Sequence, residues 1–363
     1  NDTPRAVAFG AVLLEWGETP ASLNATLDGD RFAPLPLSEA ELTSIAARLS
    51  ADAPDIIASD CPDWAVPHLQ AMFGDDWVGE AKGLAERPPL DLRANTLIAS
   101  RDKVVAELAE TGAAPARIAP NGLRIPPIAG SGRHPNVQAE PAFQKGWFEV
   151  QDEGSQIVAE LANAKPGMQA LDFCAGAGGK TLALSAAMQN RGQIYAYDSE
   201  KARLAPIFDR IRRAESRNVQ VLAKAAELAP LAGQMDIVLI DAPCTGTGTW
   251  RRRPDAKWRL TSRQLDVRVA EQARILANAR SYVKPGGILA YVTCSVFREE
   301  NQAQVAAFLG SDASFQPVDH SALFESRLPG KSAAARIHPD GIVLSPARSG
   351  TDGFFFAALR RVS

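Results

Sequence analysis

Cysteine is scarce in this chain: four among 363 residues, at positions 61, 174, 244 and 294. Four thiols so widely scattered exclude a disulfide framework, and with no CxxC or Cys/His spacing they offer no zinc site, so no metal is expected. Isolated cysteines of this kind are ordinarily small buried hydrophobes. No apolar run approaches the ~20 residues that a membrane-spanning helix needs, which excludes a membrane protein of that type. A positively charged, apolar leader is missing too, so nothing points to secretion and the expected location is cytoplasmic; an opening at Asn1 rather than Met leaves residues upstream an open matter. There is no internal repeat and no low-complexity tract. An excess of basic charge is also lacking, since 39 Lys and Arg face 42 Asp and Glu for a net charge of −3. That balance argues against indiscriminate nucleic-acid binding by the whole surface but allows a local basic face. The four histidines, 68, 134, 320 and 338, stand in no catalytic context and read as surface or structural.

What is present is an ordinary globular composition, 46% hydrophobic, in a chain long enough for two or three domains at about 150 residues each. Residues 1–85 read as helical. Ser38 followed by Glu41 is a capping-box signal that opens an apolar-periodic stretch to Leu49. The character changes at Pro88-Pro89. Leu90 to Leu97 tends toward strand, Asp102 to Glu110 toward an amphipathic helix, and Ile118 to Ile125 toward a strand pair turning at Asn121-Gly122. Residues 86–145 therefore form a small α+β unit that ends with a Pro/Gly/Ser-rich loop, Pro126 to Pro135. From 146 to 363 strands and helices alternate: strands at Ala170–Phe173, Gln193–Tyr197, Val219–Leu222, Ile237–Ile240 and Ile288–Thr293, with helices at Lys180–Gln189, Lys201–Ala214 and Arg263–Tyr282 between them. Such alternation predicts an α/β fold with a mostly parallel sheet covered on both faces, whose ligands sit at the carboxyl ends of the strands.

The turn after the first of these strands is Asp172-Phe173-Cys174-Ala175-Gly176-Ala177-Gly178-Gly179-Lys180-Thr181. Its glycines allow a tight bend and close approach to a ligand, with helix N-terminal amides beyond. A Walker phosphate loop would need glycine where Cys174 stands, so that reading fails. An adenosine pocket of the Rossmann kind expects an acid about 20 residues on at the next strand end, to hold ribose hydroxyls. Asp198 is there, 22 residues after Gly176. The alternative is a generic tight turn with a helix-capping Asp.

Two cysteines close strands at the same sheet edge, in Asp241-Ala242-Pro243-Cys244-Thr245-Gly246-Thr247-Gly248 and in Tyr291-Val292-Thr293-Cys294-Ser295. A structural cysteine has no reason to prefer that edge. Carbon 5 of a pyrimidine is a poor nucleophile toward a sulfonium methyl group. A thiolate added at carbon 6 makes it enamine-like, and cysteine suits that step because its thiolate forms near neutral pH once its pKa is lowered. Asp241 is the candidate acid beside ring nitrogen 3. The residues themselves do not say which cysteine attacks. Basic residues gather at 251–268 (Arg251, Arg252, Arg253, Lys257, Arg259, Arg263 and Arg268) and at 203–217, each readable as a solvated helix face or an RNA-contacting one.

These stretches resemble the Sun/Nop (RsmB-like) family of S-adenosylmethionine-dependent RNA cytosine-5 methyltransferases. The likeness rests on Val150 to Gln156, Asp172 to Thr181, Asp241 to Gly248, Arg251 to Trp258, Thr293-Cys294-Ser295 and Gly350 to Phe355, in that order, with Leu92 to Thr96 extending it upstream. It implies a Rossmann-like class I methyltransferase domain with a mostly parallel seven-stranded sheet, preceded by a helical region and an RRM-like RNA-binding unit. It implies Cys294 as nucleophile and Cys244 as the residue that assists release of the methylated RNA. S-adenosylmethionine is then expected against Cys174, Ala175, Gly176, Ala177, Gly178, Gly179, Lys180, Asp198 and Asp241. RNA, ribosomal ahead of transfer RNA, is the expected partner of a monomer, contacted by Arg251, Arg252, Arg253, Lys257 and Arg259 with Trp250 and Trp258 interleaved. The sequence departs from the family at Ala177, where proline is usual, and after the third strand, where Lys224-Ala225-Ala226-Glu227 replaces an expected cofactor-binding acid. Two rival readings are a DNA cytosine-5 methyltransferase using Cys244 as nucleophile and a non-catalytic RNA-binding assembly factor.

Overall fold

The computed structural model describes residues 3–14, 16–49, 54–128 and 132–362. They divide into two compact units, one of residues 1–58 with 127–135 and one of 59–126 with 136–363. In the first, helices Pro4–Leu14, Pro20–Leu27 and Glu39–Leu49 are joined by a small cluster of Phe9, Leu13, Leu23 and Leu37. The expected capping box is formed: the Glu41 carboxylate accepts from the Ser38 N–H at 2.8 Å, and the Ser38 hydroxyl accepts from the Glu41 N–H at 3.3 Å.

The second unit carries two sheets. Strands β1 (Leu90–Ala94), β2 (Ala114–Pro115), β3 (Gly122–Ile125) and β4 (Phe148–Val150) make an antiparallel sheet in the order β2-β3-β1-β4. The strand pair expected around Asn121-Gly122 does not form. Glu153, fully buried, takes the backbone N–H groups of Ile118 and Ala119 at 2.6 and 2.9 Å, so those residues are unavailable to a ladder and β3 pairs with Ala114–Pro115 instead. A boundary at 146 would also cut β4 from its partner β1.

The larger sheet comprises β5 (Gln169–Asp172), β6 (Gln193–Tyr197), β7 (Val219–Leu222), β8 (Met235–Asp241), β9 (Val283–Thr293), β10 (Phe315–Pro317), β11 (Arg336–His338), β12 (Gly341–Leu344) and β13 (Phe354–Arg361). Its order is β11-β12-β13-β9-β8-β5-β6-β7, with β10 on β13. The strands β9-β8-β5-β6-β7 run parallel, and β13 and β12 continue antiparallel, which makes the expected seven. The two short strands β10 and β11 are additions. β6 and β7 fall on the expected residues. The helix expected over Lys201–Ala214 is broken into Lys201–Leu204 and Ile207–Arg213 at Pro206, which lacks the N–H an unbroken helix requires.

Helices Val66–Phe73 and Trp77–Ala85, assigned from sequence to an N-terminal region ending at 85, belong to this second unit. Leu69, Phe73, Ala81 and Leu84 share one buried cluster with Tyr291 and Phe355 of the large sheet and with Phe297 of the loop after β9. Among the described residues no helix is long and apolar enough to cross a membrane.

Candidate active site

The carboxyl ends of β5, β8 and β9 meet at one edge of the sheet. β8 and β9 are parallel neighbours with Asp241 opposite Val292, so the loops that follow them start side by side. Loop geometry then brings the two cysteines together: Cys244 Sγ lies 3.3 Å from Cys294 Sγ. The hydrogen bond that the Cys244 S–H gives to Cys294, together with burial, pushes the Cys244 thiol well above its ordinary value, with the charges of Cys294 and Glu300 adding to the effect. The loops are stitched to one another. Gly248 N–H donates to the Cys294 carbonyl at 3.0 Å, Val296 N–H to the Thr247 hydroxyl at 2.9 Å, and the Thr247 and Ser295 hydroxyls are 2.9 Å apart.

Beside them, the turn after β5 walls a cavity of about 260 Å³ lined by Asp172, Cys174, Gly176, Gly179, Lys180 and Asp241 among others. Gly178 has φ +83°, and a Cβ there would sit 2.5 Å from Ile207, so the turn requires glycine on both counts. Lys180, almost wholly buried, donates to Asp241 Oδ2 at 2.6 Å. Asp172 is fully buried: Thr181 donates to its Oδ2 at 2.7 Å, whereas its Oδ1 has no partner among the described residues. Burial pushes this carboxyl up to about 7, and the Asp241 charge adds to the shift. Cys174 is a buried thiol held well above its ordinary value by burial and then by Asp198, Asp172 and Asp241, which removes it as a nucleophile.

Asp198, where the ribose contact was expected, stands at the end of β6 behind the glycine turn. Its Oδ2 accepts from Gly176 N–H at 2.9 Å and its Oδ1 from Glu200 N–H at 2.8 Å, so it holds the glycine turn in shape from behind. Gln151 and Ser155, of the family-like stretch, and Arg203 and Arg210, of the basic 203–217 cluster, also line the cavity, a place the sequence did not assign them. Arg210 also joins three elements, donating to the Ala177 carbonyl at 2.8 Å and to Glu149 on β4 at 3.0 Å.

The basic stretch after Cys244 divides sharply. Arg251 is buried and bonds Asp352 at 2.6 Å; Arg252 bonds Asp352 at 2.5 Å and Asp152 at 2.8 Å; Lys257 is buried against Asp60. These three, expected to meet RNA, instead tie Asp152, the loop after β8 and the segment before β13 into one ionic cluster and anchor the helix Pro254–Arg259. The physical reason is that Arg251 and Lys257 are buried, where a charge must be paired; Arg252 stays partly exposed. Arg253 and Arg259 are exposed, Arg259 pairing only with Asp255 along its helix. The tryptophans divide as well: Trp250 is core, edge-on to Phe297, and Trp258 is 57% exposed. The upstream Asn95 bonds the Gly146 and Ala214 carbonyls at 3.0 and 2.9 Å, seating the small sheet on the large one's helices.

Residues that sequence reading passed over complete the site. Glu300 and Asn301, both fully buried, contact the two cysteine loops, and Gln272 reaches Glu300 and the Pro243 carbonyl at 3.0 and 2.9 Å. Their only sequence signal is an acid and an amide shortly after Thr293-Cys294-Ser295.

Residues 159–360 match the family model described as 16S rRNA methyltransferase RsmB/F, and residues 61–127 match that of the ferredoxin-like domain of the same group. Ribosomal RNA small subunit methyltransferase B of Enterobacter sp. (strain 638) is 32% identical over 302 residues, covering 82% of this chain; the chain spans 66% of that relative's length. The crystal structure of PH0851 superimposes with a TM-score of 0.75 at 27% identity, covering 98% of this chain and 87% of that one. A methyltransferase homolog from Pyrococcus horikoshii gives 0.67 at 25% identity, covering 85% and 97%. The matched stretch contains both cysteine loops and the glycine turn, and the chain belongs to the 16S rRNA methyltransferase RsmB/F family, whose cofactor is S-adenosylmethionine.

Proposed function

We propose that this chain methylates carbon 5 of an unstacked cytosine in small-subunit ribosomal RNA, with Cys294 as nucleophile and Cys244 assisting product release. The observation that carries the reading is the 3.3 Å approach of two thiols at the ends of adjacent parallel strands, beside a cavity closed by Lys180 and Asp241. The name of the Enterobacter relative supports the RNA assignment. The residues present fit S-adenosylmethionine: a glycine turn no side chain could replace, and the unpartnered Asp172 Oδ1 available to a donor. When bound there it supplies an electrophilic methyl carbon.

The chain's own groups then act on the base. Cys294 gives its thiol proton to solvent and its thiolate bonds to carbon 6, while the electron pair of the 5,6 double bond moves to carbon 5, which takes the methyl. A solvent base then removes the proton of carbon 5, that C–H pair re-forms the double bond, and the carbon–sulfur bond breaks with its pair returning to the Cys294 sulfur. Cys244, kept protonated in the resting site, donates its S–H toward the sulfur that attacks and later leaves. Asp241, which accepts from Lys180, is the group we assign to ring nitrogen 3, with a proton bridging the carboxylate and the ring as the adduct forms. Arg253, Arg259, Arg263 and the exposed face of Trp258 are groups of the basic stretch available to RNA phosphates and bases. The cytosine must leave its stack to be reached.

The test is tritiated methyl transfer to unmethylated RNA by wild type, Cys294→Ala and Cys244→Ala, run beside denaturing gels. Methylation by wild type, none by Cys294→Ala and a gel-stable protein–RNA adduct with Cys244→Ala are expected. Normal methylation by Cys294→Ala would make Cys244 the nucleophile instead.

A further inference from the structure

We propose that the adjacent residues Glu300 and Asn301 are positioning residues, one for each thiol, and that they serve opposite halves of the reaction. The inference rests on the two-cysteine reading above.

Glu300 holds only the Cys244 loop. Its Oε1 accepts from Thr245 N–H at 2.8 Å and from Gln272 at 3.0 Å, and its Oε2 accepts from the Thr245 hydroxyl at 2.5 Å. Gln272 also reaches the Pro243 carbonyl at 2.9 Å, so the residues on either side of Cys244 are fastened to one buried carboxylate and its amide partner. The carbonyl of Glu300 accepts from the Tyr291 hydroxyl at 2.7 Å, which fixes the carboxylate's own backbone against β9.

Asn301 holds only the Cys294 loop. Its Oδ1 accepts from the Thr293 hydroxyl at 2.5 Å and its amide nitrogen donates to the Ser295 carbonyl at 2.9 Å. These are again the two neighbours of a cysteine. Among the described residues the side-chain hydrogen bonds of Glu300 and Asn301 go to neighbours of the cysteines and to Gln272, and both side chains are fully buried. A fold that needed only to bury this turn would use apolar side chains, because a buried carboxylate is costly unless its bonds are made. Here the bonds go to the residues flanking each thiol. Two neighbours in sequence thereby set the spacing between the sulfurs.

The two halves of the chemistry call on different thiols, so loosening each clamp has a different consequence. Bond formation at carbon 6 needs Cys294 in place, whereas breakage of that bond after methylation needs Cys244 beside it. Glu300→Ala is expected to transfer a methyl group in a single turnover and then retain the RNA as a gel-stable adduct, with steady-state turnover lowered by roughly ten- to a hundredfold, as a misplacement of about 1 Å costs. Glu300→Gln keeps an acceptor for Thr245 and should recover most of the turnover. Asn301→Ala is expected to lower single-turnover methylation and to leave no adduct.

The experiment measures single-turnover and steady-state methylation together with adduct yield for these variants, with S-adenosylmethionine affinity by calorimetry to verify an intact cofactor site. Thr245→Val, which removes one bond at a half-buried position, stands in if Glu300→Ala does not fold, and is expected to accumulate adduct in the same way. The same phenotype from Glu300→Ala and Asn301→Ala, or full turnover in Thr245→Val, overturns the division of labour. If Cys244→Ala itself yields no adduct, the underlying assignment of the cysteines fails; if it does and the Glu300 and Thr245 variants turn over normally, only the clamp is wrong.

Discussion

Asp172 shows how far a single residue's chemistry depends on its surroundings. In the sequence it is the first letter of a glycine turn. In the fold it is fully buried, bonded on one oxygen and orphaned on the other, with its carboxyl pushed up to about 7 by burial and by Asp241. A folded-state value raised above the unfolded one means that the folded chain binds the proton more tightly. The contribution is therefore present at pH below the ordinary carboxylate range and is lost as the pH rises through about 7. Asp172→Asn, which cannot ionise, is expected to gain thermal stability over wild type as the pH is raised from about 5 to about 8 without cofactor. Melting curves across that range check it, and a gap that shrinks with rising pH would show that the carboxyl is not neutral in the fold. The same lesson holds for thiols. Cys174 and Cys244 read alike as cysteines after strands, yet one is walled in by three carboxylates and the other is paired with a second sulfur.

At the scale of elements, the large sheet's alternation of apolar strands and helices was plain in the sequence, and β6 and β7 match it residue for residue. What the pattern did not carry is how loops use charge. Arg251, Arg252 and Lys257 sit in a basic stretch whose composition suits RNA, and three carboxylates distant in sequence, Asp152, Asp352 and Asp60, claim them. Sequence proximity among arginines cannot reveal partners that only the folded chain supplies. Arg251→Ala leaves Asp352 partly uncompensated in a dry site and is expected to cost about 3–5 kcal/mol of stability. Arg253→Ala and Arg259→Ala, on the exposed side, should change stability by less than about 0.5 kcal/mol. They should lower RNA affinity and flatten its dependence on salt. Denaturant unfolding and filter binding over a salt series separate the two classes; unchanged stability in Arg251→Ala would remove the structural role assigned to the cluster.

At the scale of the whole molecule, the chain divides after residue 58 rather than at 85, because helices Val66–Phe73 and Trp77–Ala85 bury Leu69, Phe73 and Leu84 in the core of the large sheet. The small sheet likewise keeps β4, which lies beyond the boundary that composition suggested. A chain beginning at Ser59 is expected to unfold in one cooperative transition and to bind S-adenosylmethionine as the longer chain does. Loss of that transition would mean that residues before 59 are needed to complete the core.

The sequence by itself determined the alternation of strands and helices from β5 to β9, the glycine turn, and the placing of two cysteines at strand ends, because periodicity and turn chemistry are local properties of the chain. It was also sufficient to carry the family resemblance, since that rests on short stretches in a fixed order. Only the tertiary structure decided which arginines face solvent, that Asp198 braces the glycine turn, and that Glu300 and Asn301 hold the two cysteine loops. Each of those outcomes depends on burial and on partners supplied across the fold, and a charge has no assigned role until the chain has decided what surrounds it.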